Sequence, residues 1–265
     1  ETGDINFMAL EVFVLDEADT MLDMGFYKDV QTIISQLPKS RQTLLFSATM
    51  PAEIEILAEA ILTVPKKVQI TAETVTIGLV NQSVYHIDKS NKVPLLFNIL
   101  QKSDYKKVLI FCKTKYGADI IVTALEKASI TAASLHSGKT QAVREEALQN
   151  FKDSSLRVLV ATDVAARGID VDNITLVINY NLPEDPRNYI HRIGRTARAG
   201  KSGMAISFAV ENDVRQLNII ENSIGQIIPV VIDQPFHKQF SKVALQVKKK
   251  QKKTNRTRKK IKKSR

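Results

Sequence analysis

A single cysteine, Cys112, stands in 265 residues, so no intrachain disulfide can form. That scarcity suits a reducing compartment, and the expectation is a cytoplasmic protein. No apolar run approaches the ~20 residues of a membrane-spanning helix, so no membrane is expected as a partner. The opening residues Glu1, Thr2, Gly3 and Asp4 lack the basic-then-apolar pattern of a secretory leader. Cysteine and histidine nowhere fall at zinc-binding spacing. Acid is missing from one stretch in particular. Residues 248–265 carry twelve Lys and Arg and no Asp or Glu. Setting those twelve aside leaves 26 basic and 28 acidic residues, a net of −2 against the whole chain's +10. The body is near neutral. The terminal run repels itself and cannot be buried, so it reads as a disordered arm for a polyanion, RNA in the first place. A solvated tail that only aids solubility is the plain alternative.

What is present is a repeating strand-and-helix pattern. Short apolar runs at 12–15, 43–46 and 68–70 read as strands, with helical spacing at 26–37 and after Pro51 to Leu62. A second series has strands at 84–87, 108–111, 131–135, 158–161, 176–178 and 205–208, and helices at 117–127 and 140–151 among others. Strands alternating with helices predict α/β domains with parallel sheets covered on both faces. Ligands then gather at the C-terminal ends of the strands. The polar clusters fall at those ends.

The first cluster is FVLDEAD, residues 13–19. An apolar strand ending in two carboxylates is how nucleotide hydrolases hold hydrated Mg²⁺ and orient a water. Acids at a helix N-terminus can equally serve only the dipole. The second is Ser47-Ala48-Thr49 after the strand TLLF, a tripeptide that by itself is an ordinary helix cap. The third pair is ATDVAARGID, residues 161–170, and HRIGRTARAG, residues 191–200. Arg192, Arg195 and Arg198, at three-residue spacing, lie on one side of a helical turn and can meet a shared anion. Guanidinium forks suit phosphate oxygens, although a basic surface helix can also pair with carboxylates. Gly138-Lys139-Thr140 ends like a Walker A loop, but Ala133 stands where that pattern needs glycine. Cys112 reads as a small core residue.

Taken together, VLDEADTMLDMGF, SAT, ATDVAARGID and HRIGRTARAG resemble motifs II, III, V and VI of the DEAD-box RNA helicases of superfamily 2, bacterial type. IFCKTK (residues 110–115) and QAVR (residues 141–144) resemble motif IV and the Q-x-x-R motif. The resemblance implies two RecA-like domains of the P-loop NTPase type and the cofactors ATP and Mg²⁺. Asp16 would hold Mg²⁺ through water, and Glu17 would position or deprotonate the attacking water. Arg195 and Arg198 would be arginine fingers at the γ-phosphate, each such finger worth about 10³–10⁵ in rate in related transfer enzymes. Asp19, Ser47, Thr49, His191 and Arg192 would couple motifs. Asp170 would contact the ribose, and Thr114, Arg144 and Thr162 would touch RNA. HSGK, residues 136–139, departs from the family's His-Gly-Asp-Lys, which puts a backbone phosphate contact there in question.

The resemblance covers about residues 1–230. The adenine-reading glutamine motif, Walker A and the first domain's RNA motifs would lie before Glu1, and the chain does not open on Met. The expectation is therefore an N-terminally truncated member. Residues 1–72 would be a remnant of the first RecA-like domain with an unpaired apolar edge. Residues 73–82 would be a linker, 83–230 the second domain and 231–265 a basic tail. The intact relative would use ATP to separate short RNA duplexes locally, binding phosphates without sequence preference. This chain alone would bind RNA and turn over little or no ATP. A noncatalytic RNA-binding or chaperone module derived from a helicase is the rival reading, and a DNA translocase a second. Ribosomal or RNA-decay proteins are the candidate protein partners.

Overall fold

The computed structural model describes residues 5–69, 78–102, 105–166, 169, 171–197 and 202–240. Its internal contacts divide the chain into two compact units, Glu1–Ile70 and Thr71–Arg265. No helix among the described residues is long and apolar enough to cross a membrane.

In the first unit, β1 (Val12–Leu15) and β2 (Gln42–Leu45) pair in parallel, Leu15 opposite Leu45. Helices α1 (Ala18–Asp23), α2 (Tyr27–Ser35) and α3 (Ala52–Ile61) complete it. The period of two in β1 sends Phe13 and Leu15 inward, where Leu15, Ala18, Val30, Ile54 and Leu57 form the core. Ile54 and Leu57, three apart on α3, supply its inward stripe. Gly25 turns the chain from α1 into α2 at φ +81°, a conformation glycine adopts without steric cost. The opposite face of β1 is open: Val12 and Val14 are 50% and 52% exposed. The expected strand at 68–70 is not formed by Val68 or Gln69, and Ile70 lies outside the described residues. Val68 is exposed, and an apolar run without a neighbouring strand gains nothing by extending.

The second unit is one six-stranded parallel sheet. Its strands are β3 (Val80–His86), β4 (Val108–Phe111), β5 (Ala132–Leu135), β6 (Val158–Ala161), β7 (Leu176–Asn179) and β8 (Gly203–Ala209). They lie in the order β3-β8-β7-β4-β6-β5. Between them run α4 (Lys92–Lys102), α5 (Lys115–Lys127), α6 (Gln141–Lys152), α7 (Asp163–Ala166) and α8 (Pro186–Ile193), with α9 (Val214–Ile224) after β8. The central strands β4, β6 and β7 are buried at every residue, which is why they read as unbroken apolar runs. Alternate residues still serve opposite faces. Val108 and Ile110 pack with Leu96 of α4 and Ile121 of α5, whereas Leu109 and Phe111 pack with Ala147 and Phe151 of α6. Each such fully buried side chain contributes up to about 1.5–3 kcal/mol. A one-residue slip would exchange the two faces, so the register is firmly set.

Two expected boundaries move. The linker at 73–82 gives way to β3 from Val80 onward. The polar run Asn81-Gln82-Ser83 hid this strand, because Gln82 is buried with its carbonyl accepting the Tyr189 hydroxyl at 2.9 Å. The tail expected from 231 also begins later. Val84 donates to the Pro229 carbonyl and accepts from the Val231 amide, both at 2.9 Å, so this segment covers the outer edge of β3. Phe240 is 4% exposed and stacks on the His86 ring at 4.0 Å. Residues 248–265 lie outside the described residues.

Candidate functional site

In the first unit, β1 delivers Asp16 and Glu17 to the C-terminal edge of the sheet, both exposed. Asp16 Oδ1 accepts the Glu17 N–H at 2.8 Å. Glu17 sits in the left-handed region at φ 48°, ψ 45°, which costs a non-glycine residue about 1–2 kcal/mol. No cluster of three or more His, Cys, Asp or Glu that could cage a metal occurs among the described residues.

Asp19 turns the other way and is buried. Its Oδ2 accepts the Thr49 N–H at 2.9 Å and the Thr49 hydroxyl at 2.7 Å, and its Oδ1 accepts the Thr20 N–H at 3.0 Å. The Asp19 N–H donates to Ser47 Oγ at 3.2 Å, and that hydroxyl donates to the Thr49 carbonyl at 2.7 Å. Burial pushes the Asp19 carboxyl upward, but the bonds from Thr49, Thr20 and Ser47 outweigh it and hold the group below its ordinary value. The two strings, thirty residues apart, thus close on one carboxylate.

In the second unit β4 and β7 are neighbours, and the connection leaving β4 runs toward β5 whereas the one leaving β7 runs the other way, toward β8. A crevice at the C-terminal ends is the usual consequence. Arg192 lies there, 3% exposed on α8. Its Nε and Nη2 meet the two oxygens of Asp163 at 2.6 and 2.7 Å, and its Nη1 donates to Asn179 Oδ1 at 3.0 Å and the Asn181 carbonyl at 2.7 Å. The guanidinium carbon also lies 5.0 Å from the Phe111 ring centre. Asn179 in turn donates to Ser207 Oγ of β8 at 3.2 Å.

This corrects the picture of arginines sharing one anion along a helical face. Helix α8 ends at Ile193, so Arg195 stands beyond it in the following turn, where Nη1 donates to the Ile169 carbonyl at 2.9 Å. Arg192 is committed to Asp163, which leaves its fork no room for a phosphate. His191 is exposed in the last turn of α8. Arg198 and Asp170 lie outside the described residues. Thr114 caps α5 by accepting the Gly117 N–H at 3.0 Å, and is exposed. Thr162 follows β6 and is half-buried, its N–H on the Leu135 carbonyl at 3.2 Å. Arg144, on the first turn of α6, donates to Gln141 Oε1 at 3.2 Å.

Sequence reasoning passed over Asp163 and Asn179. Both had a signal: an acid two residues past the strand VLVA, and an amide closing the apolar strand LVI. A polar side chain at such an end is either solvated or answering a buried partner, and the partner here is Arg192.

Residues 1–57 match the family model of the DEAD/DEAH box helicases, and residues 91–200 that of the helicase conserved C-terminal domain. The chain is 42% identical over 219 residues to the DEAD-box ATP-dependent RNA helicase CshA of Bacillus licheniformis, covering 83% of this chain and 45% of that protein. It spans less than half the length of such curated relatives. Among solved structures, S. cerevisiae Dbp5 bound to RNA and ADP BeF3 superposes with a TM-score of 0.77 at 31% identity, over 86% of this chain and 61% of that one. The E. coli DEAD-box protein SrmB, bound to regulator of ribonuclease activity A, does so with a TM-score of 0.58 at 31% identity, over 61% of this chain and 96% of that one. The sheet is the RecA-like parallel α/β type of these helicases. The chain belongs to the DEAD-box helicase family.

Proposed function

We propose that the protein acts in ATP-dependent remodelling of RNA, binding phosphates without sequence preference and opening short duplexes locally. The observation that carries this reading is the closure of Ser47 and Thr49 on Asp19 beside the exposed pair Asp16 and Glu17. Asp19, two residues past that pair, is thereby tied by short hydrogen bonds to the segment that follows the neighbouring strand. In this proposal Asp16 would hold Mg²⁺ through water, and the bound ion would supply positive charge beside the triphosphate. Glu17 orients or deprotonates the attacking water. Arg195 and Arg198 supply positive charge to the transferring phosphoryl group, and Asp170 meets the ribose. Asp19, Ser47, Thr49, His191 and Arg192 couple the motifs, while Thr114, Arg144 and Thr162 face RNA.

Residues 1–265 contain no complete G-x-x-x-x-G-K-[ST] stretch. The lysine and backbone cradle of such a loop provide much of the charge stabilisation in these sites. We therefore assign this chain by itself RNA binding with ATP turnover at background. We propose the same order of parts along the chain, a first-domain segment, a linker, a second domain and a basic tail, with the second domain drawn from Val80 to Phe240. A cytoplasmic location suits the lone cysteine, and RNA-decay partners find support in the SrmB complex.

Fluorescence anisotropy with one labelled single-stranded RNA, its scrambled version and matched DNA tests the binding half. Equal affinity for the two RNAs, weakening with salt, is expected; absent RNA binding would overturn the reading. Radiometric ATP turnover tests the other half. RNA-stimulated turnover by residues 1–265 alone would refute the assignment for this chain.

A further inference from the structure

One hydrogen-bonded cluster lies outside the network around Arg192. His136, directly after β5, is 3% exposed although it opens a surface loop. Its Nδ1 accepts the Gly138 N–H at 3.1 Å, so the ring proton sits on Nε2, which donates to Asp119 Oδ1 of α5 at 3.1 Å. The same Oδ1 receives the Ser134 hydroxyl at 2.6 Å and Lys139 Nζ at 3.0 Å. Burial raises the Asp119 carboxyl, but bonds from Ser134, His136 and Lys139 outweigh it and hold the group well below the carboxylate range. The Lys139 N–H closes the turn on the His136 carbonyl at 3.1 Å. The approach is close: a Cβ at Gly138 would lie 3.1 Å from the imidazole Nδ1, so the ring would have to give by a few tenths of an ångström.

The loop so held runs straight into α6. Thr140 caps that helix by accepting the Val143 N–H, and its carbonyl receives the Arg144 N–H at 3.1 Å. Lys115 of α5 packs close by, its Cδ 3.6 Å from the Gly138 Cβ position. Lys115, Lys139 and Arg144 thus stand around one turn whose shape is dictated from below by one carboxylate and one imidazole.

We propose that Asp119 and His136 are positioning residues, holding the 137–140 turn and through it Arg144 in the arrangement that meets RNA phosphate. The inference rests on the RNA reading of Arg144. An imidazole with both nitrogens engaged fixes two elements at once, α5 through Asp119 and the turn through Gly138. Without it the start of α6 would be held only by the Thr140 cap and the flexible Lys139 side chain on Asp119.

The test uses the whole chain and the variants Asp119→Ala, His136→Gln, His136→Asn, Arg144→Ala and the pair Asp119→Ala with Arg144→Ala. Amide exchange at Gly138 and RNA affinity are measured beside a thermal melt. Asp119→Ala and His136→Gln should speed Gly138 exchange and weaken RNA binding about five- to tenfold. His136→Asn offers an oxygen near the Nδ1 position and should keep Gly138 protected, with affinity within about twofold of the unaltered chain. The paired variant should fall within about twofold of Arg144→Ala alone, because one acts through the other. Multiplying effects in the pair, or unchanged Gly138 exchange in His136→Gln, would overturn the proposal. An Arg144→Ala chain with undiminished RNA affinity would instead remove the RNA reading on which it rests.

Discussion

Replacing Arg192 by alanine probes the centre of the second unit. The substitution strands three partners together: the Asp163 carboxylate loses both of its forked bonds, and Asn179 Oδ1 and the Asn181 carbonyl lose theirs. Asp163 keeps 31% side-chain exposure, so water recovers part of the loss on that side, whereas Asn179 is fully buried. Breaking a buried ion pair from one side costs about 3–5 kcal/mol. At an m-value of ~2 kcal/mol/M that lowers the urea midpoint by about 1.5–2.5 M. Tyrosine emission suits the assay, because five of the six tyrosines lie in the second unit. Arg192→Lys retains the charge but not the fork, and should recover less than half of the loss. A midpoint shift below about 0.5 M for Arg192→Ala, with m unchanged, would show that the guanidinium is dispensable and that the network does not organise α8.

Thr49→Val deletes one bond to the Asp19 carboxylate and should destabilise the first unit by about 1.5–3 kcal/mol at neutral pH. Because the folded carboxyl titrates below its unfolded value, its contribution is complete above pH ~4 and fades as pH falls through the folded pKa. Amide exchange in residues 13–19 at falling pH should therefore show a shallower acid loss in the variant; parallel curves would contradict the assignment. Gly203→Ala would drive a Cβ into Thr196 Oγ1 and the Ala197 amide, where the Thr196 hydroxyl already donates to the Ile174 carbonyl at 2.6 Å. A loss of about 1–3 kcal/mol in thermal unfolding is expected, and a neutral effect would mean that the turn after α8 yields freely. Deleting residues 248–265 should flatten the salt dependence of RNA binding, by about 0.7 in log–log slope for every phosphate that the arm had neutralised. An unchanged slope would retire the arm.

The central strands were legible because burial on both faces leaves only apolar residues there, as in VLIF at 108–111 and VLVA at 158–161. The helices at 117–127 and 140–151 were legible from their apolar spacing, but their starts were not: Thr114 and Thr140 are the capping residues just before Lys115 and Gln141. Strand β3 was hidden at its beginning, because a buried amide such as Gln82 looks like a loop residue until Tyr189 supplies its partner. The Asp19 cluster could be anticipated from its strings. The Asp163 to Arg192 fork could not, because 29 residues separate the pair and nothing local distinguishes an arginine that grips a carboxylate from one that awaits a phosphate. Spacing along a helix misled there, since the helix stops between Arg192 and Arg195.

The placement of β8 has a practical corollary for anyone trimming the gene. The stretch by which the second unit is recognised runs from 91 to 200, yet β8 begins at Gly203 and lies between β3 and β7. A polypeptide cut to that stretch would lose both β3 and β8, baring the flank of β7 along Leu176, Val177 and Ile178. It would contain nearly every diagnostic residue and still expose an adhesive hydrophobic margin. The cooperative unit extends from Val80 to Phe240, so the ends that matter for expression lie well outside those that matter for classification.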